Sequence, residues 1–322
     1  MDPPRPATEA SSDTLLELFQ AIRRELELRE ESPSGAWVES SATESRAGTK
    51  PAWFYPPSDE GGGISFYSRR GPKVWGHVHA AAGPRAGERA RHLAQALLGS
   101  LPAEVGWVSV GFSGFDLEEE RRVVRELAQH PGAIGVERFQ MERRIAPEGA
   151  PPAAAAPTGA QLLRPRDVTV EALGDLDARG FRGSVDDTVM GGTVEEYTEI
   201  VQTLLDSRIG RFLDEASAVL YEPSPPRLVG AVLVSEASPR QATILDVVVD
   251  PERRGNGYGR FLLRWALRAL QALGYTSATL WVTEANVGAL RLYESEGFAR
   301  TASTVLFHWT RPPGAPHPQN SR

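Results

Sequence analysis

The sequence predicts an α/β protein of two domains, each a central mixed, mostly antiparallel sheet flanked by helices. Three observations carry that expectation. Residues 244–273 read as a strand, a glycine-rich turn and a helix in direct succession. Residues 146–160 (APEGAPPAAAAPTGA) read as a linker, because their prolines sustain neither helix nor sheet and their alanines offer little to bury. The order of strands and helices after this linker recurs, in worn form, before it. With 322 residues the chain exceeds the usual size of one domain. The expected division is therefore a first domain at 1–145, the linker, a second domain at 161–312 and a disordered tail at 313–322.

In the first half, Leu15 to Leu28 has the spacing of an amphipathic helix, and Ala52–Tyr55 and Ile64–Tyr67 are short strands. Val74–His79 is a third strand leading to a helix at Ala90–Leu98; Val105–Phe112 is a fourth, followed by a helix over Leu117–Gln129 and the pair Pro131-Gly132. In the second half, Gln161 opens a short strand and Val170–Arg179 a helix. Thr193-Val-Glu-Glu196 is a capping box for a helix whose apolar face is Tyr197, Ile200, Val201, Leu204 and Leu205. Ser217–Glu222 and Leu228–Val234 flank the turn Pro223–Pro226 and run into the strand Ile244–Val249 as an antiparallel meander. Gly255, Gly257 and Gly259 then bend the chain into a helix carrying Phe261, Leu262, Trp265, Ala266, Ala269, Leu270 and Leu273 on one face, stopped by Gly274. A helix N-terminus bears about half a positive charge, so this turn suits a phosphate. Ala278–Val282 is a further strand, and Thr304–Trp309 the last.

Two motifs lie in order here: Arg254-x-x-Gly257-x-Gly259, then Asn286, Tyr293 and the pair Gly297-Phe298. In these residues the chain resembles the GCN5-related N-acetyltransferase (GNAT) superfamily, specifically over Leu228 to Trp309. A dinucleotide-binding reading fits less well, because the third glycine falls at another spacing and no following strand ends in an acidic ribose ligand. The resemblance implies acetyl-CoA as acyl donor and no metal. It implies that the backbone of Val247, Val248 and Val249 meets the acyl group, and that Arg254, Gly255, Asn256, Gly257, Tyr258, Gly259 and Arg260 take the pyrophosphate. Asn286 becomes a coenzyme A contact and Tyr293 the general acid. Against these stand plainer roles: a helix N-cap for Asn286 and a core ring beside Phe298 for Tyr293.

The base is less defined. Asp246 sits inside an apolar strand, where burial raises a carboxyl's pKa. Simple alternation puts it on one face with Ile244 and Val248, opposite Leu245, Val247 and Val249. Glu284 is a second candidate, and Trp281 occupies a position where some relatives carry a glutamate. The loop Phe181–Gly192, with Asp186, Asp187 and paired glycines, is the expected acceptor region. In the first half, aligning Gly132 with Gly297 puts Ala128 opposite Tyr293 and Arg121 opposite Asn286, and the turn Ala82–Glu88 contains a proline. That half therefore reads as a degenerate copy without donor site.

Composition narrows the rest. Zero cysteine removes disulfides and thiolate chemistry, and only His77-x-His79 approaches metal spacing. A net charge of −7 disfavours a general nucleic-acid surface. The N-terminus lacks a signal-peptide pattern and no apolar run spans a bilayer, so a cytoplasmic location without membrane contact is expected. The partners expected are coenzyme A and a small-molecule or peptide amine, with the oligomeric state open. The function expected is acetyl-CoA-dependent N-acetyl transfer to a primary amine by direct attack in a ternary complex. The alternatives are a module that binds or senses acetyl-CoA with little turnover, and a mycothiol synthase-like acetyltransferase, since tandem proteins of the family with one silent half include mycothiol synthase.

Overall fold

The computed structural model describes residues 1–28, 35–146, 156–190 and 192–312. Most of the expected linker, the expected tail and Gly191 lie outside the described residues. The chain forms two compact units, Met1–Arg138 with Ser303–Arg322, and Phe139–Ala302. No helix among the described residues is long and apolar enough to cross a membrane.

The elements of the first half are β1 (Arg5–Pro6), α1 (Ser12–Leu28), α2 (Gly35–Ala47), β2 (Ala52–Tyr55), β3 (Gly63–Arg70), β4 (Lys73–Ala80), α3 (Ala86–Gly99), β5 (Trp107–Ser113), α4 (Leu117–Leu127) and β6 (Ala133–Arg144). Those of the second are β7 (Gln161–Leu163), α5 (Val170–Phe181), α6 (Val185–Met190), α7 (Val194–Leu205), β8 (Arg211–Phe212), β9 (Ala218–Pro223), β10 (Pro226–Ser238), β11 (Gln241–Val249), α8 (Tyr258–Ala272), β12 (Ser277–Thr283), α9 (Val287–Ser295) and β13 (Ala299–Thr310).

In the first unit the strands run in the order β1-β2-β3-β4-β5-β13. Leu93, Leu97, Val108, Val110 and Phe112 form a core with Val123 and Val124 of α4. Phe19 and Ile22 of α1 close a second core with Val38 of α2 and Ile64 of β3. In the second unit the order is β12-β11-β10-β9-β7, with β8 on β10. The meander β9-β10-β11 is antiparallel as expected. Thr193 and Glu196 make the capping box of α7, at 3.3 and 2.9 Å.

The units do not follow the two sequence halves, because β6 and β13 each pass from one unit to the other. The last strand, expected beside the others of the second half, pairs antiparallel with β5 from Leu306↔Gly111 to Thr310↔Trp107. Its Val305, Phe307 and Trp309 are buried in the first unit's core. Phe139 and Met141 of β6 are buried in the core of the second.

The structure also corrects the alignment of the first half onto the second. The helix N-cap that matches Asn286 is Asp116, which accepts from Glu118 N–H at 2.7 Å and Glu119 N–H at 3.3 Å. Arg121 lies inside α4, because this helix is longer than α9. His77 and His79 converge on the Ser113 hydroxyl at 2.8 and 3.0 Å. Among the described residues no group of His, Asp and Glu is disposed to hold a metal.

Candidate active site

β11 is a run of β-branched residues that suits a buried strand. Its pairing with β10 contains a bulge: Leu233 faces Asp246 and Val234 faces Ile244, leaving Leu245 over. The extra residue breaks simple alternation. Ile244, Val247 and Val249 pack on the α8 side. Leu245 and Val248 pack toward α5 and α7. The expectation that Ile244 shares a face with Asp246 and Val248 is therefore corrected, as is the grouping of Leu245 with Val247 and Val249.

On its other edge β11 pairs parallel with β12 only from Gln241↔Ser277 to Thr243↔Thr279. Beyond that point the strands part. The Asp250 N–H turns to Val229 O on β10, at 3.0 Å. Backbone direction alternates along a strand, so Val247 and Val249 turn their polar groups to the opening. A cavity of about 590 Å³ fills it. Its walls include Val247, Val248 and Val249, the turn residues Arg253, Arg254, Gly255, Gly257, Gly259 and Arg260, and Asn286 and Tyr293 from the other side. Gly180, Phe181, Ser184 and Asp186 close it from α5 and α6.

The turn is held from behind. Asp250, 2% exposed, ends β11 by accepting from Glu252 N–H at 3.0 Å and pairing with Arg179. Arg253 makes a bidentate pair with Glu222, both contacts 2.8 Å, and Tyr258 donates its hydroxyl to the same carboxylate at 3.0 Å. The paired guanidinium holds the Glu222 carboxyl below its ordinary range. Tyr258 is thus committed to the core, and the Asn256 side chain folds back on the Arg253 and Arg254 carbonyls at 3.4 and 3.1 Å. Neither side chain lines the cavity. Gly255 and Gly257 have φ of +77° and +81°, the conformation glycine adopts at least cost. In α8 the Phe261 N–H bonds Gly257 O at 2.9 Å. The N–H groups of Tyr258, Gly259 and Arg260 precede that bond and have no intrahelical partner, which leaves them for an anion. Arg254 reaches the Gly180 and Val249 carbonyls, and Arg260 is steadied by Ser295 at 3.2 Å and Glu296 at 3.1 Å.

Asn286 does cap α9: its Oδ1 accepts from Ala289 N–H at 3.2 Å. Its Nδ2 donates to Asp186 at 2.8 Å, and Thr283 donates its hydroxyl to the same carboxylate. Tyr293, 8% exposed, packs beside Phe298 with ring centroids 6.0 Å apart. Burial, then the carboxyls of Asp246 and Asp186, push its phenol up, so it stays protonated at neutral pH. Among the described residues its hydroxyl has no protein hydrogen-bond partner.

The Asp246 carboxyl is enclosed and does not line the cavity; the Asp177 carboxyl of α5 lies beside it. Burial holds both carboxyls above the ordinary range. Sequence reasoning missed Asp177, although an acid among Leu173, Leu176 and Gly180 on the buried side of α5 was the available signal. Glu284 is exposed and is not brought to the cavity. The expected acceptor loop contains the short helix α6, which aims Asp186 inward.

The first unit lacks this opening. There β4 and β5 stay paired from Lys73↔Trp107 to His79↔Ser113. Arg85, at φ +60°, stands at the N-cap of α3 where α8 has Gly257.

Residues 187–298 match the model of the acetyltransferase (GNAT) family. The mycothiol acetyltransferase of Thermobispora bispora is 48% identical over 61 residues, 19% of this chain and 21% of that protein. That of Acidimicrobium ferrooxidans is 33% identical over 116 residues, 35% of this chain and 37% of that protein. The chain thus spans about a fifth and just over a third of these two relatives' lengths. Among solved structures, a GCN5-related N-acetyltransferase from Sphaerobacter thermophilus has a TM-score of 0.59 at 19% identity, covering 96% of this chain and 95% of that one. A tandem GNAT protein from the clavulanic acid biosynthesis pathway has a TM-score of 0.52 at 14% identity, covering 97% and 98%. The split strands, the glycine turn and the family match agree: residues 187–298 form a domain of the GNAT acetyltransferase family, and the chain as a whole shares the fold of a tandem GNAT protein.

Proposed function

We propose that the chain is an N-acetyltransferase that passes the acetyl group of acetyl-CoA to a primary amine of a small molecule or peptide, in a ternary complex. GNAT proteins as a family use acetyl-CoA. One observation carries the proposal: the cavity beside β11 is lined both by Arg254, Arg260 and the first turn of α8 and by the Asp186 carboxylate. The first set suits a pyrophosphate and the carboxylate a cationic amine.

In this reading, the Val249 N–H, which faces the opening, polarises the thioester carbonyl and holds the oxygen that turns anionic. The neutral amine attacks, the carbon–sulfur bond breaks, and the Tyr293 hydroxyl protonates the leaving thiolate. Tyr293 regains a proton from the new amide nitrogen. Asn286, already tied to Asp186, fixes the wall against which the pantetheine arm would lie. The unengaged Tyr293 hydroxyl favours turnover over mere binding. The names of the partial relatives support a second, narrower reading, a mycothiol acetyltransferase-like reaction.

Incubation of the purified chain with acetyl-CoA and pools of primary amines, read by mass spectrometry, is expected to yield products heavier by one acetyl group. Acetyl-CoA consumed only by hydrolysis would sink the proposal. Because β4 and β5 stay zipped and Arg85 occupies the worn turn, calorimetry is expected to give one coenzyme A per chain. A stoichiometry of two would show that the first unit keeps a donor site.

A further inference from the structure

Asp177 and Asp246 meet beside the cavity with no donor group between them. We propose that they act as one proton-sharing pair that accepts the proton of the acceptor amine, Asp246 through water and Asp177 as the positioning residue behind it. The proposal rests on the N-acetyltransferase reading.

The approach of α5 to β11 brings the carboxyls together. A Cβ on Gly180 would lie 2.2 Å from Val248, and one on Gly174 2.2 Å from Thr198 of α7. Two helix glycines thus let α5 press against both neighbours, which carries Asp177, 4% exposed, onto the strand. The bulge at Leu245 sets the facing of Asp246. Asp177 Oδ1 is buried without any conventional donor. Two buried carboxylates in contact repel strongly, and a single proton between them turns the clash into a charge-assisted hydrogen bond.

The surroundings leave no other source of neutralisation. Asp246 receives the Val247 N–H and faces Asp186 of α6. Tyr293 of α9 and Tyr197 of α7, itself bonded to Asp187 at 3.4 Å, stand nearby as neutral phenols. Among the described residues no cationic side chain acts on either carboxyl of the pair. The pair therefore holds one proton and one negative charge near neutrality, and titrates as a unit.

The step balances. The ammonium gives one proton through water to the pair, which becomes neutral, and the freed lone pair attacks the thioester carbon. After the amide leaves, the pair returns that proton to solvent, the one proton released per acetyl transferred.

The test begins with the full chain, labelled with ¹³C at aspartate Cγ, and needs no acceptor. Two carboxyl signals are expected to move together in two steps, both above the ordinary carboxylate range. Asp177→Asn should erase the upper step and leave Asp246 to titrate alone, since the amide donates a permanent hydrogen bond. Independent titration of both carboxyls below about pH 5 in the parent overturns the proposal, even if the variant fails to fold.

With acetyl-CoA and the amine returned by the screen, Asp177→Leu, which removes the donor to the Asp246 carboxylate, should move the acid limb of the kcat/KM profile up by about one pH unit or more. Asp177→Asn, which keeps a donor, should leave the limb in place, and neither variant should change coenzyme A affinity. A leucine variant whose profile keeps its shape and only loses height would mean a structural role and overturn it. Failure of the parent to bind acetyl-CoA at all would defeat the enzyme reading, and the pair's proposed role with it, while leaving the shared titration in place.

Discussion

Gly257→Val is expected to reduce coenzyme A affinity by at least about 100-fold, roughly 2.7 kcal/mol. Two effects act together. Gly257 sits at φ +81° at the N-cap of α8, a conformation that costs a β-branched residue about 1–3 kcal/mol. A Cβ there meets nothing within 4 Å, so the valine methyls would project into open space at the mouth of the turn. A phosphate seated on the first N–H groups of α8 would lose charge-assisted bonds worth about 1.5–3 kcal/mol each. Calorimetry with coenzyme A measures the loss, and a melting curve beside it shows that the fold survives. Unchanged affinity in a folded variant would remove the turn from the donor site.

Tyr293→Phe is expected to lower turnover by roughly 10²–10⁴, the range for loss of a general acid, with donor affinity almost intact. The ring keeps its packing against Phe298, and the hydroxyl leaves no broken bond behind, since it has no protein partner among the described residues. Burial and the neighbouring carboxyls keep the phenol protonated across the neutral range. The loss should therefore show in kcat more than in KM for acetyl-CoA, the pattern of an interaction made in the transition state. A thiolate also leaves unassisted, so the low end of the range is expected with weakly basic acceptors. A phenylalanine variant that turns over like the parent would make Tyr293 a packing residue.

The elements that build the cavity were legible because their signals are local. Glycines at fixed offsets, a β-branched strand before them and an apolar helix face after them are fixed by the chain itself. Asn286 was readable both as a cap and as a site residue, and it is a cap that also holds Asp186. Other features depend on what lies opposite. α2 (GAWVESSATESRA) is rich in weak helix formers and is held by packing Val38 and Ala42 on α1. β6 carries Glu137, Arg138, Glu142, Arg143 and Arg144, which masks the apolar positions Phe139 and Met141. The face of Asp246 was misjudged because a bulge is a property of two strands in register. Asp177 became visible only when α5 met β11.

The traded strands have a consequence for how this molecule is made. The first unit's sheet includes Ser303–Thr310, so its β5 edge stays bare until residue 310 has been synthesised. At ~5–20 residues per second, the wait from residue 138 to residue 310 is on the order of ten seconds or more. During it, an unsatisfied strand edge is open to the wrong partner. A stop codon just before residue 303 would therefore injure the first unit's sheet, at a distance of some 200 residues along the chain.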